Sequence, residues 1–452
     1  MKKLTIFLLG LLIVLVGTMF VCRKVGILQP TLYYLQIERR DRAANIPVVE
    51  AENFDALRLP SYYNCVDTGK LSKTRDQGDL GGCWAFAANA ALESRLLPKE
   101  QWDFSEDHMI HNNGFYDDGT EGGDFYMAVA YLAGWKGPVT EGQDPYNDGQ
   151  TNPDAKVVKH LQEALFLDNG DFEMIKKMVY IYGAVESSIY IAIDDEQYID
   201  ETYYNKYEHT YCYNGDETAN HEIVIIGWDD EYPASNFNTG VSRDGAFICL
   251  NSWGSEFGEN GIFYVSYDDA CIGQAVEVYT KVEDTDNYDH NYQYDEHGWV
   301  GRMGFEQSGA YFANVYTAQQ DESLEAVSFY ATGENTSYSV YVCKNFSSPD
   351  DLLSNRQLVA QGQLHEAGYY TVDLDQPTEL AAGERFAVMV EINTPGSLHP
   401  VAIEMDSGEG RTGTIDFTGK ESYISADGRY WESAQQDSNC NICLKAFTKD
   451  RK

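Results

Sequence analysis

The stretch that decides the fold reads RDQGDLGGCWAFA over residues 75–87. Its glycines form a turn that runs directly into an alanine- and leucine-rich segment, and Pro98 ends that segment, which predicts a helix over residues 84–97. Cys83 therefore stands where a glycine-rich turn meets the start of a helix. Unpaired amides and the dipole at a helix N-terminus favour negative charge, so we expect a lowered pKa for the Cys83 thiol, which would make it a thiolate nucleophile.

A thiolate that attacks a carbonyl group needs a base, and the base needs a group that orients it. His221 begins an apolar segment, residues 222–228, which predicts a strand, and no other of the nine histidines has this combination of strand, Gly and Trp context. Asn251 follows a second predicted strand, residues 245–250. An amide there can accept a hydrogen bond from one imidazole nitrogen and leave the other nitrogen facing the thiol.

Three ordered motifs resemble those of the papain family of cysteine peptidases. The Cys83–His221 separation of 138 residues (221 − 83) lies within the roughly 130–150 typical of that family. The resemblance covers about half the chain, from residue 57 to residue 282. Its motifs are Gln77-Gly78 with Cys83-Trp84-Ala85-Phe86, Asn220-His221 with Gly227-Trp228, and Asn251-Ser252-Trp253-Gly254 with Gly258-Glu259-Asn260-Gly261.

The resemblance implies a role for each matching residue. Cys83 would be the nucleophile, and His221 would be the general base and then the general acid. Asn251 would orient His221, and Trp253 would shield their hydrogen bond from water. Gln77 would supply the side-chain donor of the oxyanion hole, and the backbone N–H of Cys83 would be its second donor.

Further similarities and departures accompany these motifs. Gly122-Gly123 matches the place where such enzymes bind the substrate backbone in extended form, although an ordinary turn is the alternative. Leu80 replaces a cysteine that is usually paired, so that bridge should be missing, and Gly82 replaces the usual Ser or Ala. The 30 residues from His to Asn (251 − 221) predict an inserted surface loop over residues 229–244.

Residues 56–283 are predicted to form an α+β papain-like catalytic domain, in which a helical half packs on a β half. The predicted helices are residues 84–97, 125–132 and 171–182, and the predicted strands are residues 189–193, 222–228, 245–250 and 261–267.

Beyond a polar linker, residues 284–290, alternating segments separated by turn residues predict an all-β sandwich over residues 291–450. The segments are residues 324–329, 337–342, 369–374 and 385–392. This part resembles the lectin-like domain that follows some exported papain-type catalytic domains. That resemblance implies surface glycans as partners, and Tyr369, Tyr370 and Trp431 would either stack on sugars or form core. Cys440 and Cys443 have the spacing of a redox or zinc half-site, but without a second pair we expect a disulfide or burial.

The first residues predict export from the cytoplasm. Lys2 and Lys3 precede an apolar run, residues 4–21, so residues 1–30 are a signal anchor or a signal peptide, with a lipid on Cys22 as a third option. A membrane-anchored or secreted protein is expected in each case. Residues 31–55 are interpreted as a linker or a short pro-segment.

The charge of the chain excludes some partners. With 72 acidic and 32 basic side chains, its net charge of −40 repels nucleic acid and anionic lipid headgroups. Nine cysteines do not make a dense disulfide framework, and the sequence leaves their connectivity open.

The prediction is an extracytoplasmic cysteine peptidase that acts on peptide or protein substrates through a Cys83 thioester, without metal or cofactor. Two alternatives remain: a cysteine transpeptidase or amidase on the same site, and an inactive papain-like surface protein that binds glycans or proteins. Asp268 and Asp269 would either favour basic substrate residues or face solvent.

Overall fold

A computed structural model describes residues 57–115, 122–168, 170–193, 199–408 and 412–451 of the chain. The predicted signal and linker segments at the N-terminus lie outside these ranges. Among the helices in the ranges, none is both long and apolar enough to cross a membrane.

The three predicted helices are confirmed to within one residue at each end. A fourth helix in this half, residues 106–112, follows Ser105, whose side chain accepts a hydrogen bond from the His108 amide as an N-cap. Its sequence is polar, so the search for apolar residues at helical spacing did not predict it. The helices are α1 Cys83–Leu96, α2 Glu106–Asn112, α3 Phe125–Ala133 and α4 Phe172–Tyr182.

The strands of the first half confirm three of the four predicted segments. One short 3₁₀ turn, Ala234–Asn236, lies in the predicted inserted loop. The strands are β1 Tyr62–Asn64, β2 His160–Asp168, β3 Val185–Ile189, β4 Tyr204–Asn205, β5 Thr210–Tyr211, β6 His221–Asp229, β7 Ala246–Leu250, β8 Ile262–Ser266 and β9 Ala275–Glu283.

The predicted strand over residues 189–193 is wrong, because β3 ends where that segment begins. β3 reads VESSI and is buried along its whole length, so its polar residues concealed it from a search for apolar runs. After it, Ile191 and Ala192 are buried from a loop that Asn220 holds, since the Ile191 amide donates to Asn220 Oδ1 at 2.7 Å.

In the described residues of the second half all elements are β-strands apart from two short helices, and each of the four predicted segments lies within a strand. The helices are α5 Asp351–Ser354 and α6 Ala434–Ser438. The strands are β10 His290–Tyr292, β11 Gly301–Met303, β12 Gly309–Thr317, β13 Glu322–Ala331, β14 Thr336–Lys344, β15 Arg356–Leu364, β16 Ala367–Leu380, β17 Arg385–Asn393, β18 Val401–Met405, β19 Ser422–Ser425, β20 Glu432–Ser433, β21 Cys440–Ile442 and β22 Leu444–Asp450.

One large sheet runs through both halves of the chain. Its strand order is β10-β22-β13-β16-β2-β9-β3-β6-β7-β8-β5-β4, with β1 attached to β6. The junction is the antiparallel pair β2–β16, in which Leu165 lies opposite Gly368 and Phe166 lies opposite Ala367. The β half of the catalytic region therefore continues, by backbone hydrogen bonds, into one layer of the sandwich.

The sandwich is completed by a six-stranded sheet, β15-β14-β17-β12-β19-β20, and a three-stranded sheet, β11-β18-β21. Tyr369 and Tyr370 on β16 are fully buried in its core, so the sugar-stacking interpretation is wrong for both, whereas Trp431 is half-buried. Cys440 and Cys443 are buried free thiols, and the described cysteines form no disulfide, so burial and not pairing explains their spacing.

Candidate active site

Cys83 is the first residue of α1, and the glycine turn before it brings the chain close to α2. Gly82 caps the helix without a side-chain hydrogen bond, and a Cβ on Gly82 would meet Ile110 Cδ1 at 2.8 Å. The sulfur lies against the backbone N–H groups of Trp84 and Glu222. This second contact joins the start of α1 to the start of β6, where His221 lies.

The expected lowering of the thiol pKa is wrong for this arrangement. Burial raises the pKa of the Cys83 thiol, and the amide N–H groups of Glu222 and Trp84 only partly oppose it. A buried thiolate is stable here only when a neighbouring group becomes positive at the same time. Formation of the nucleophile therefore depends on proton transfer to a nearby base.

His221 is placed to be that base. Its Nε2 atom lies 2.8 Å from Oδ1 of Asn251, the residue that follows β7, and the same oxygen accepts a hydrogen bond from the Ser252 amide. Nε2 therefore carries the proton of the neutral ring, and Nδ1 is left as the basic nitrogen. Burial lowers the pKa of His221, and its hydrogen bond to Asn251 opposes that shift, so the free ring is neutral.

Trp253 covers the pair formed by His221 and Asn251. Its ring centroid lies 4.8 Å from that of His221, with the ring planes tilted by 38°. The Trp253 backbone forms an isolated β-bridge with Asp76, which ties this segment to the loop before Cys83.

Gln77 is fixed by Ser252, whose role the sequence analysis missed. The Ser252 hydroxyl donates a hydrogen bond to the side-chain oxygen Oε1 of Gln77 at 2.6 Å. The backbone N–H of Gln77 donates to the backbone carbonyl of Ser252 at 2.8 Å. This pairing orients the side-chain amide so that Nε2 is the outward donor, which bonds to the Leu80 carbonyl at 2.9 Å. Ser252 lies within the motif Asn251-Ser252-Trp253-Gly254, and its place in that motif was the sequence signal for this contact.

The Gly122-Gly123 pair lies directly on Trp84, the neighbour of Cys83. A Cβ on Gly123 would stand 2.5 Å from Cε2 of the Trp84 ring, and Gly122 has a φ of 76°, so both positions require glycine. The six residues before the pair are outside the described part of the chain. The backbone of the pair thus borders the nucleophile.

Three buried glutamates beside the nucleophile were not found from the sequence. Glu186, Glu222 and Glu277 lie on β3, β6 and β9. Burial, with the charges of neighbouring acids, raises the pKa of Glu222 to about 8 and raises the pKa values of Glu186 and Glu277 well above the ordinary range. For Glu222 and Glu277 the sequence signal was a charged residue inside an apolar segment, whereas Glu186 lies among the polar residues of β3 and gave no such signal.

Comparisons with known proteins agree with this architecture. Residues 59–282 match the model of the papain family cysteine proteases, and residues 291–448 match that of the lectin-like domains. Viral cathepsin of Heliothis zea nuclear polyhedrosis virus is 31% identical over 215 residues, which are 46% of this chain and 53% of that protein. Mouse pro-cathepsin H is 25% identical over 212 residues, 45% of this chain and 59% of that protein. The chain thus spans somewhat more than half the length of these curated relatives.

Two solved structures resemble the chain over nearly its whole described length. The cysteine protease and lectin-like domains of Cwp84, a surface layer associated protein of Clostridium difficile, superpose with a TM-score of 0.78 at 25% identity, covering 94% of this chain and 98% of that one. Clostridial Cwp84 after propeptide cleavage gives a TM-score of 0.76 at 26% identity, covering 87% and 100%. The two-part arrangement is therefore shared with a known protease.

Proposed function

We propose that this chain hydrolyses peptide bonds outside the cytoplasm with Cys83 as its nucleophile. The chain belongs to the papain family of cysteine proteases through residues 59–282 and continues into a lectin-like domain over residues 291–448. The observation that carries the proposal is the 2.8 Å hydrogen bond between His221 and Asn251. It holds the buried imidazole of His221, the residue before Glu222, in the tautomer that a base for Cys83 requires.

In the first half of the proposed reaction, Nδ1 of His221 takes the proton from the Cys83 thiol. The thiolate then attacks the scissile carbonyl and forms a tetrahedral oxyanion. Collapse of this intermediate breaks the C–N bond and leaves a thioester on Cys83, while His221 gives its proton to the leaving amine. The ion pair of thiolate and imidazolium offsets the cost of burying either charge alone.

In the second half, His221 takes a proton from water, and the resulting hydroxide attacks the thioester carbonyl. Collapse releases the carboxylic acid, and the proton returns to the sulfur. The oxyanion of both tetrahedral intermediates would accept hydrogen bonds from Gln77 Nε2 and from the Cys83 amide. For this, Gln77 Nε2 would exchange its bond to the Leu80 carbonyl for one to the substrate.

Action outside the cytoplasm is supported by the basic and apolar N-terminal sequence and by the description of Cwp84 as surface layer associated. We place the catalytic domain at residues 56–283, the linker at 284–290 and the sandwich at 291–450. The sandwich would hold the enzyme near surface glycans. A glycan-binding assay with the full-length chain and a Trp431→Ala variant tests that part alone.

The proposal is tested with the full-length chain, purified in a mild detergent, and a panel of fluorogenic dipeptide amides. We expect turnover that an epoxide thiol inhibitor abolishes, with the inhibitor found on Cys83 by mass spectrometry. Cys83→Ala should lose both turnover and labelling. Cys271→Ser is the matched control, because it changes another thiol that is not at the site, and it should retain both.

Two results would contradict the proposal. Turnover that persists in Cys83→Ala would assign the chemistry to another group. An unreactive Cys83 without turnover of any substrate would favour a protein that only binds. Transfer of the acyl group to an added amine in preference to water would instead indicate a transpeptidase.

A further inference from the structure

The imidazole ring of His297 is bonded to both halves of the chain at once, unlike the acids that the sequence suggested for substrate selection. Asp268 pairs with Arg243 at 3.0 Å, and the buried Asp269 accepts hydrogen bonds from three backbone amides. Both acids therefore have their partners within the first half. The contacts of His297 instead connect the second half to the helical part of the catalytic domain.

His297 lies between β10 and β11 and bridges two hydrogen-bond acceptors. Its Nδ1 atom lies 2.7 Å from Oε1 of Glu404 on β18, and its Nε2 atom lies 2.9 Å from the backbone oxygen of Gly114, just after α2. The His297 amide donates to the same Glu404 oxygen at 2.8 Å. The Phe115 ring packs edge-on against the imidazole at 4.8 Å, and only 9% of His297 is exposed. The bridge is therefore largely shielded from solvent.

Both partners of the ring can only accept, so the ring donates from both nitrogens. A backbone carbonyl carries no proton. Burial alone would raise the pKa of Glu404, but the hydrogen bonds from His297 and Asn441 outweigh burial and hold that pKa below its ordinary range. The Glu404 side chain is thus an ionised carboxylate. An imidazole that donates twice is an imidazolium ion, so the bridge is a buried ion pair extended by a charge-assisted hydrogen bond to Gly114.

Other ionisable groups around the bridge are paired or neutral. Lys445 on β22 pairs with Asp295 at 2.7 Å, and neither side chain is more than 2% exposed. Burial raises the pKa of the Cys443 thiol well above its ordinary range, which keeps the thiol neutral. The negative charge of Glu404 is therefore compensated by His297.

Lys136 makes a second tie between the same two segments. Its side-chain nitrogen donates to the backbone oxygen of Asn113 at 2.6 Å and to that of Glu296 at 3.0 Å. A Cβ on Gly114 would stand 2.3 Å from this nitrogen, so the approach requires glycine. Lys136 and His297 thus hold the carbonyl groups that follow α2, at the end of the helix where the dipole favours positive charge.

The helix held in this way supports the turn before the nucleophile. Ile110 on α2 lies so close to Gly82 that a Cβ on the glycine would stand 2.8 Å from Ile110 Cδ1. Gly82 precedes Cys83, whose amide is one of the two donors proposed for the oxyanion hole. A displacement of α2 would therefore also displace this donor.

A second path of contacts leads from α2 to Gln77, the other proposed donor. The Asp107 carboxylate accepts a hydrogen bond from the Asn147 amide at 3.0 Å, and the preceding Tyr146 donates through its hydroxyl to the backbone oxygen of Gln77 at 2.8 Å. The Tyr146 ring also packs edge-on against Phe86 of α1 at 4.8 Å. Both donors of the proposed oxyanion hole thus depend on the placement of α2.

We propose that His297 is a positioning residue for the reaction at Cys83: its imidazolium ion, which bridges Glu404 and the Gly114 carbonyl, holds α2 in place and thereby sets the two oxyanion donors. This inference rests on the proposed peptidase function, and it makes the second half of the chain part of what that reaction requires. His297 takes no part in proton transfer. Because the oxyanion forms only in the reaction, loss of His297 should lower kcat and leave KM nearly unchanged.

The bridge should fail as pH rises. A ring that has lost one proton keeps a donor for only one of its two acceptors, so either Glu404 or the Gly114 carbonyl loses its hydrogen bond. The contribution of His297 to kcat is therefore present while the ring is charged and is lost as the ring is deprotonated. Glu404→Gln replaces the anionic acceptor by a neutral one, so in this variant the ring should lose its proton at lower pH.

The kinetic test uses the full-length chain and a fluorogenic dipeptide amide. At about pH 6, where histidine is readily protonated, His297→Ala should lower kcat about tenfold, which is less than the 10²–10³ lost with an oxyanion donor itself. The same variant should change KM by less than about twofold. His290→Ala is the matched control, because His290 also pairs with an acid, Asp450 at 2.7 Å, but within the second half. It should leave both constants unchanged.

A second measurement does not depend on turnover. In 15N NMR spectra of the histidine-labelled Cys83→Ala chain, the His297 ring should show two protonated nitrogens at about pH 6, and Glu404→Gln should move its titration to lower pH. The signal of His297 is assigned by its absence from the chain that also carries His297→Ala. If His297→Ala does not fold, Glu404→Gln also serves as the kinetic variant, and its kcat should fall at a lower pH than that of the unmodified chain.

Three results would overturn this inference and leave the peptidase standing: an unchanged kcat in His297→Ala, a rise in KM alone, or a His297 ring with a single protonated nitrogen at about pH 6. Failure of the proposed function is recognised separately in the unmodified chain. There, no turnover and no labelling of Cys83 by the epoxide inhibitor would overturn the peptidase and this inference together.

Discussion

His221 and Asn251 are joined by a hydrogen bond of 2.8 Å from Nε2 to Oδ1, although 30 residues separate them along the chain. β6 and β7 pair antiparallel, with Val224 opposite Leu250, so the start of one strand and the exit of the other meet at the same edge. The pairing next to His221 is kept although the register shifts between Ile225 and Gly227, nearer the inserted loop. Positioning of the base is therefore a property of the sheet and not of loop length.

Asn251→Ala should lower kcat by about ten- to a hundredfold, because the ring of His221 loses the partner that fixes its tautomer and orientation. The hydrogen bond raises the pKa of His221 against the effect of burial. Its loss should therefore shift the acid limb of the pH–kcat/KM profile, where the free imidazole gains a proton, to lower pH. Asn238→Ala, an exposed residue of the inserted loop, is the control. An unchanged profile would contradict the orienting role.

Ser252→Ala should lower kcat through Gln77 and not through substrate binding. Loss of one oxyanion donor costs about 10²–10³ in kcat, and loss of the group that orients it should cost less, about tenfold. Gln77→Ala combined with Ser252→Ala should then be no worse than Gln77→Ala alone. Steady-state kinetics on the three variants tests this, and additive losses would show that Ser252 acts independently of Gln77.

The places of Cys83, His221 and Asn251 in the fold were predictable because each lies in a short motif whose neighbours share its local structure. A glycine-rich turn followed by a helix predicts the position of Cys83. Strands that are apolar on both faces predict the positions of His221 and Asn251. The buried cluster of Glu186, Glu222 and Glu277 was not predictable, because β3 carries Glu186 within a polar segment that tertiary packing buries. The pairing of β2 with β16 joins residues about two hundred positions apart, and no local pattern encodes such a contact.

The buried acids Glu186 and Glu277 should make the folded protein less stable as pH rises. A glutamate in the unfolded chain loses its proton near pH 4.3, whereas burial keeps Glu186 and Glu277 protonated to much higher pH. Between these limits the folded state binds more protons than the unfolded state, so the free energy of unfolding falls with increasing pH. Glu186→Gln should reduce that slope, and its Tm should exceed that of the unmodified protein by more at pH 8 than at pH 5. Thermal unfolding across this range measures both, and parallel curves would show that Glu186 is ionised in the folded state.

Because β2 and β16 pair in one sheet, we expect the two halves of the chain to unfold as one unit. A substitution at a single glycine of this pair tests that expectation. Gly368 lies opposite Leu165, and a Cβ there would stand 2.3 Å from the backbone oxygen of Ala164, so the strands can approach only without a side chain. Gly368→Ala should lower the free energy of unfolding by about 1–3 kcal/mol, the usual cost of overpacking. Gly309→Ala is the matched control, because its nearest contact would be an ordinary 3.7 Å.

The expected calorimetric result is a single transition that moves to lower temperature in Gly368→Ala and stays in place in Gly309→Ala. A single transition is expected of a shared sheet, because separating β2 from β16 exposes unpaired backbone groups on both strands at once. Two transitions, of which only one moves, would mean that the halves unfold independently despite the pairing.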